Sequence, residues 1–279
     1  MWVWKNGEFL RKEELTISPY DHGFLYGLGF FETFRTYNNL PFCWDAHVKR
    51  LHDALQEYRI AMPYALDELL QVIRELNEKN EGSDGYFRLN VTAGVHDIGL
   101  QPSSYERPTV ILFRKELPNA PRGTEKTATI VNVVRNTPEA SVRHKSHHYA
   151  NNVLARFELP SLAEVEGILL TQNGHVAEGI TSNVFWTSGN TLFTPAISTG
   201  ILPGVIREWV LNHAESVGLS VRVGEFSKEV FLSAEEVFLT NSIQEIVPIR
   251  QLGDHLLMGN EGPIYQRLHA LYQRQVEQL

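Results

Sequence analysis

The spacing of apolar and polar positions changes period along the chain, and each change marks an element. Residues 2 to 11 alternate about Asn6-Gly7, a pair that accepts the positive φ angles of a type I′ turn, so a hairpin is predicted there. After the Gly-rich stretch Asp21 to Gly29, residues 30 to 44 give two more strands about Asn38-Asn39. Asp45 then stands as the cap of a helix carrying Ala46, Leu51, Ala54, Leu55 and Tyr58 at helical spacing, and Leu66 to Leu76 repeats that pattern. Residues 86 to 93 and 108 to 117 return to β character. The segment E-L-P-N-A-P-R-G at 116 to 123 carries two prolines and a glycine and reads as a boundary.

Beyond it, residues 127 to 135 (T-A-T-I-V-N-V-V-R) predict one buried strand, followed by a polar loop and a helix from Tyr149 to Glu158. Strands at 166 to 171, 175 to 187 and 191 to 195 alternate with the turn pairs Asn173-Gly174 and Gly189-Asn190. Helices at 204 to 217 and 262 to 278 and a strand at 236 to 240 complete an α+β reading in two domains. The smaller covers 1–117, a linker covers 118–123, and the larger covers 124–279.

Composition narrows the function classes. A net charge of -8 argues against a nucleic-acid partner, which calls for a clustered basic surplus. The single cysteine, Cys43, cannot form an internal disulfide or a C-x-x-C pair. No signal-peptide core or membrane-length apolar run occurs, so the expectation is a cytoplasmic protein with no membrane partner.

Candidate chemistry centres on Lys145, in R-H-K-S-H-H-Y-A-N-N, flanked by Arg143, His144, His147 and His148 instead of carboxylates. A cationic setting disfavours the ammonium form, which suits a lysine that forms and exchanges a Schiff base; a plain surface lysine remains the alternative. The three histidines also admit a transition metal, but no H-E-x-x-H arrangement exists, and a hydrogen-bonding role in the loop competes; no metal is expected. Glu178, in H-V-A-E-G-I-T-S-N-V-F-W, sits in an apolar strand pair. There an ionised carboxylate needs either a partner, such as a cationic ring nitrogen, or an exposed edge position. The helix beginning near Gly204 and the strand end at Asn241 and Ser242 offer hydrogen-bond donors to an anion, although a simple helix cap explains the first equally well. No G-x-x-x-x-G-K-[ST] loop supports a nucleotide triphosphate.

Taken in order, D-H-G-F-L-Y-G-L-G-F-F-E-T-F, H-V-K-R-L, K-S-H-H-Y-A-N-N, V-A-E-G-I-T-S-N-V-F-W, T-G-I-L-P-G-V-I-R and T-N-S-I-Q-E-I-V-P resemble the fold-type IV pyridoxal-phosphate enzymes, the class IV aminotransferase family. That resemblance implies a D-amino acid aminotransferase-like fold and pyridoxal 5'-phosphate as cofactor. It assigns Lys145 as the Schiff-base lysine and Glu178 as the carboxylate that keeps the pyridine nitrogen protonated. Arg50 becomes a phosphate ligand, with backbone N–H groups of Val205 and Ile206 and with Asn241 and Ser242; Tyr149 matches a position near the cofactor. It also implies a homodimer acting on a small-molecule substrate.

Within the family, K-S-H-H-Y-x-N-N, N-T-P-E and D-H-G-F-L-Y-G look most like the Bacillus-type aminodeoxychorismate lyases, which make 4-aminobenzoate for folate synthesis. Phe31 agrees, because D-amino acid aminotransferases usually carry a tyrosine there, with a neutral packing variant as its alternative. Arg88 in Y-F-R-L-N-V-T-A-G is a candidate for a substrate carboxylate, with a structural salt bridge as its alternative. An aminotransferase of branched-chain or D-amino acids is the competing expectation.

Overall fold

The computed structural model describes residues 1–100, 102–117 and 122–279, so most of the predicted linker at 118–123 lies outside the described residues. The chain divides into two compact units: Met1–Pro118 together with His144–His148 and Leu279, and Asn119–Arg143 together with Tyr149–Gln278. The loop that carries Lys145 is therefore entered from the second unit, yet packs with the first.

In the first unit, β1 (Trp2–Lys5) and β2 (Glu8–Arg11) form the predicted hairpin, with φ of 46° at Asn6 and 95° at Gly7. A single turn, α1 (His22–Leu25), is capped by Asp21 and was not anticipated. β3 (Gly29–Tyr37) turns through left-handed Asn38 and Asn39 into β4 (Leu40–Pro41). The helix α2 spans Trp44–Glu57, and its cap is Cys43, in a left-handed conformation with no side-chain cap bond. Asp45 is thus not the cap; it lies in the first turn, where its charge still opposes the positive helix end. Then follow α3 (Leu66–Lys79), β5 (Tyr86–Thr92) and β6 (Thr109–Lys115).

The six strands order as β2-β1-β6-β5-β3-β4. Alternation on β3 and β5 sorts their side chains. Phe30, Phe34, Phe87, Leu89 and Val91 join Leu51, Ala54, Leu55 and Ile73 of the helices in one core. Phe31, with Asn90 paired opposite and Arg88 one step along, belongs to the other face.

The second unit holds β7 (Lys126–Ile130), α4 (Ala150–Phe157), β8 (Val165–Leu170), β9 (Val176–Gly179), β10 (Asn183–Ser188) and β11 (Thr191–Pro195). After them come α5 (Val205–His213), β12 (Ser220–Gly224), α6 (Lys228–Leu232), β13 (Glu236–Asn241), β14 (Glu245–Leu252), β15 (His255–Leu256) and α7 (Pro263–Val276). The main sheet path is β12-β11-β10-β13-β14-β7-β8-β9, with β15 on β14. Two expected strands change. The strand predicted at 127 to 135 ends at Ile130, and the one predicted at 175 to 187 breaks at Ile180–Ser182, where Gly179 N–H turns back onto the Ser182 carbonyl. Among the described residues no helix is long and apolar enough to cross a membrane.

Candidate active site

In the first unit the Lys145 segment runs beside the start of β3. Phe31 N–H donates to the Lys145 carbonyl at 2.8 Å, His147 N–H donates to the Gly29 carbonyl at 2.9 Å, and Phe30 and Ser146 form an antiparallel bridge. Gly29 is required by this approach, since a Cβ there would lie 2.6 Å from His147 Nδ1. The lysine is thus placed by backbone contacts. Its Nζ lies 4.7 Å from the centre of the Phe31 ring, and Arg88 Cζ lies 3.5 Å from the same centre. Arg88 is aimed by its own sheet neighbour, donating from Nε to Asn90 Oδ1 at 2.8 Å.

The electropositive setting expected around Lys145 is therefore built differently. His144 pairs with Glu57 at the end of α2, at 2.7 Å. His147 is kept neutral, its pKa lowered to about 4 by burial, by the Arg88 charge and by the neighbouring His148, against the pull of Asp21. Arg143 donates to the carbonyls of Gly200 and Asn136 within the second unit. The cation sharing a ring with Lys145 is Arg88, 57 positions away in sequence and brought there by strand pairing.

Arg50 projects from α2 and donates to both oxygens of Glu32, at 2.8 and 2.6 Å, while His47 Nδ1 meets the same carboxylate at 2.7 Å. Glu32 is 1% exposed and His47 fully buried. Burial alone would raise the Glu32 pKa, but the Arg50 charge and the hydrogen bonds from His47 and Arg50 outweigh it and hold the pKa down to about 2. This clamp was not anticipated. Its signal was present, a carboxylate inside the apolar run F-F-E-T-F.

Both shifts bear on acid stability. A folded pKa below the unfolded value stabilises fully above the unfolded pKa, and that contribution disappears as pH falls through the folded one. His147 therefore contributes a loss between about pH 6.5 and its folded value, and Glu32 between about pH 4.3 and its own. We expect urea midpoints to decline from about pH 6.5 downward, and His147→Asn to flatten the first part of that decline. An unchanged slope would mean that His147 is not held neutral.

In the second unit, Glu178 is 4% exposed, so the exposed-edge alternative is excluded. Its partner is Arg135, whose Nε donates to Oε1 at 2.8 Å; Asn183 Nδ2 and Leu202 N–H donate to Oε2 at 3.3 and 3.0 Å. Burial pushes the Glu178 pKa up, against Arg135, the Leu202 N–H and Arg143, which favour the carboxylate. Arg135 is held in turn by Asn151 Oδ1 at 3.0 Å and Asn152 Oδ1 at 3.3 Å, which gives the paired asparagines of K-S-H-H-Y-A-N-N a task. Tyr149, at the cap of α4, is exposed.

Leu202 leads into α5, which begins at Val205 after Gly204 and has no side-chain cap. A Cβ at Gly204 would collide with Asn183 Oδ1, so the close approach of this loop to the Glu178 cluster requires glycine. The Val205 and Ile206 N–H groups have no acceptor within their own helix and stand at its positive end. α5 packs on β13. At the end of that strand the Thr240 hydroxyl is buried without a hydrogen-bond partner. Asn241 Oδ1 accepts from Ile243 and Gln244 N–H at 3.0 and 2.8 Å, so that side-chain oxygen shapes the turn containing Ser242.

Each unit by itself offers donors that fit parts of pyridoxal phosphate: the first a lysine amine, and the second a buried carboxylate able to face a pyridinium, an open helix N-terminus and an unsatisfied buried hydroxyl just before the Ser242 turn. The comparisons agree. The family described as amino-transferase class IV matches residues 29–252. Aminodeoxychorismate lyase of Bacillus subtilis is 39% identical over 279 residues, covering 99% of this chain and 95% of that protein. The crystal structure of 4-amino-4-deoxychorismate lyase from Pseudomonas aeruginosa superposes with a TM-score of 0.84 at 26% identity, covering 98% of both chains. The branched-chain amino acid aminotransferase of Escherichia coli gives a TM-score of 0.88 at 28% identity, covering 98% of this chain and 93% of that one.

Proposed function

The chain belongs to the class IV aminotransferase family and has the α+β fold of type IV pyridoxal-phosphate enzymes, and from that premise we propose that it is an aminodeoxychorismate lyase. It converts 4-amino-4-deoxychorismate to 4-aminobenzoate and pyruvate. The observation that carries this reading is the single ring shared by Lys145 and Arg88: a proton-transferring amine and a fixed guanidinium both lie over Phe31. The substrate has two carboxylates, and Arg88 supplies a donor fork for one of them. Phe31 offers no hydroxyl to the substrate. The 39% identity to the Bacillus subtilis lyase over nearly the whole chain supports the same choice.

When bound, the cofactor supplies a protonated ring that accepts electrons. Lys145 would anchor it, and Glu178, held by Arg135, would keep the ring nitrogen charged. Arg50, braced by Glu32, and, in the second unit, the Val205 and Ile206 N–H groups with the turn of Asn241 and Ser242 are the groups that would hold the phosphate. Tyr149, at the cap of α4, would stand near the cofactor by the family resemblance. Lys145 would then act as the base that takes the C4 proton of the substrate. The C3–O bond to the enolpyruvyl group then breaks, the ring becomes aromatic, and Lys145 delivers a proton to the methylene carbon to give pyruvate.

Product analysis tests this reading. Incubation with 4-amino-4-deoxychorismate and no keto acid is expected to yield equal amounts of 4-aminobenzoate and pyruvate. Turnover of a branched-chain or D-amino acid that depends on a keto acid, with no 4-aminobenzoate formed, would make the protein an aminotransferase instead. The same reading includes a cytoplasmic location and a homodimer, and the exposed apolar side chains Phe24, Ile98 and Leu100 of the first unit support the second of these. Sedimentation should give a dimer; a stable, active monomer would contradict that part.

A further inference from the structure

Lys126 lies on β7 and is 4% exposed, although lysine is almost never fully buried unless its charge is engaged. Its Nζ donates to the Leu162 carbonyl at 2.8 Å and to Gln244 Oε1 at 3.1 Å. The carboxylate that acts on it electrostatically is Glu166, buried on β8 and itself accepting from the Thr181 N–H and hydroxyl. Burial lowers the Lys126 pKa and Glu166 opposes that shift. Apolar replacement of buried ions is neutral or stabilising in many interiors, so stability by itself does not account for an ammonium here.

What Lys126 grips is the turn between β13 and β14. Gln244 N–H donates to Asn241 Oδ1 at 2.8 Å, and Asn241 Nδ2 donates back to Gln244 Oε1 at 3.3 Å. Gln244 Oε1 is thus shared by Asn241 and Lys126. One ammonium ties the Ser242–Gln244 turn to the Leu162 carbonyl ahead of β8, and the turn directly follows the buried, unpartnered Thr240 hydroxyl.

We infer that Lys126 is a positioning residue for the phosphate of the cofactor: through Gln244 it fixes the turn that presents Asn241 and Ser242, and it adds positive charge to that turn. The inference rests on the proposal that this turn takes the phosphate. It predicts a loss specific to the phosphate, which a general packing defect would not produce.

The test is to strip the enzyme of cofactor and titrate it with pyridoxal phosphate and, separately, with pyridoxal, which lacks the phosphate, following the visible absorbance of the bound imine. Lys126→Met and Gln244→Ala should each weaken pyridoxal phosphate binding about tenfold while leaving pyridoxal within about twofold. The double variant should be no worse than the weaker single one, because both changes cut the same connection. Lys126→Arg should recover most of the affinity. Folded variants that bind pyridoxal phosphate as the wild type does, that lose both ligands equally, or whose effects add in the double variant would overturn the inference. If Lys126→Met does not fold, Gln244→Ala at the partly exposed end decides alone. A wild-type protein that binds pyridoxal as tightly as pyridoxal phosphate, or an unaffected Ser242→Ala, would instead refute the phosphate assignment of the turn.

Discussion

Lys145→Ala is expected to give a folded protein that has lost the visible absorbance of a bound pyridoxal imine and turns over at least about a thousandfold more slowly. The fold should survive because the segment is held through its backbone, by the Lys145 carbonyl on Phe31 N–H and by His147 N–H on Gly29. The side chain contributes an amine over the Phe31 ring, and its removal takes away the proposed cofactor anchor and proton carrier together. Absorbance and steady-state rates with added cofactor measure both effects. A variant that keeps either the imine absorbance or more than about a tenth of the rate would show that another group does this work.

Glu178→Ala should be damaging in two measurable ways. It leaves Arg135 buried and unpaired, and breaking a buried pair of this kind costs about 3–5 kcal/mol, read from urea unfolding. It also removes the anion assigned to the ring nitrogen, so kcat at saturating cofactor should fall about a hundredfold or more. Glu178→Gln keeps the shape, restores part of the stability and leaves the rate low. A Glu178→Gln enzyme with near wild-type kcat would remove Glu178 from the chemistry and leave it a structural partner of Arg135.

Much of the architecture was legible because local signals and final structure agree. Asn6-Gly7 and Asn38-Asn39 are pairs that tolerate left-handed backbone, and both sit at hairpin turns with positive φ. α3 carries the apolar stripe read from Leu66 to Leu76 and runs only a few polar residues past it, to Lys79. β14 was missed because Pro248 interrupts E-I-V-P-I-R-Q-L. The strand accommodates it, pairing Pro248 with Phe238 and shifting register against β7 between Ile249 and Gln251. The Cys43 cap was missed because no propensity marks a cysteine for left-handed backbone.

The site was partly legible for the same kind of reason. Glu178 stood out as a carboxylate among apolar residues, but its partner did not: the apolar run carries Arg135 to the end of one long strand, whereas β7 stops at Ile130 and frees it to turn toward Glu178. The Glu32 clamp obeys the same rule as Glu178 and was recoverable from it. Arg88 beside Lys145 was beyond periodicity, since only the β3–β5 register and the bridge at Ser146 bring them to one ring. The histidines misled in the other direction. Their number suggested positive charge, yet the structure pairs His144 with Glu57 and keeps His147 neutral.

The central claim, that Lys145 carries the cofactor, is tested most directly by reducing the cofactor-loaded protein with borohydride and mapping its peptides by mass spectrometry. A phosphopyridoxyl group is expected on the peptide that contains Lys145 and on no other. A group on Lys126 or any other lysine, with Lys145 unmodified, would contradict it.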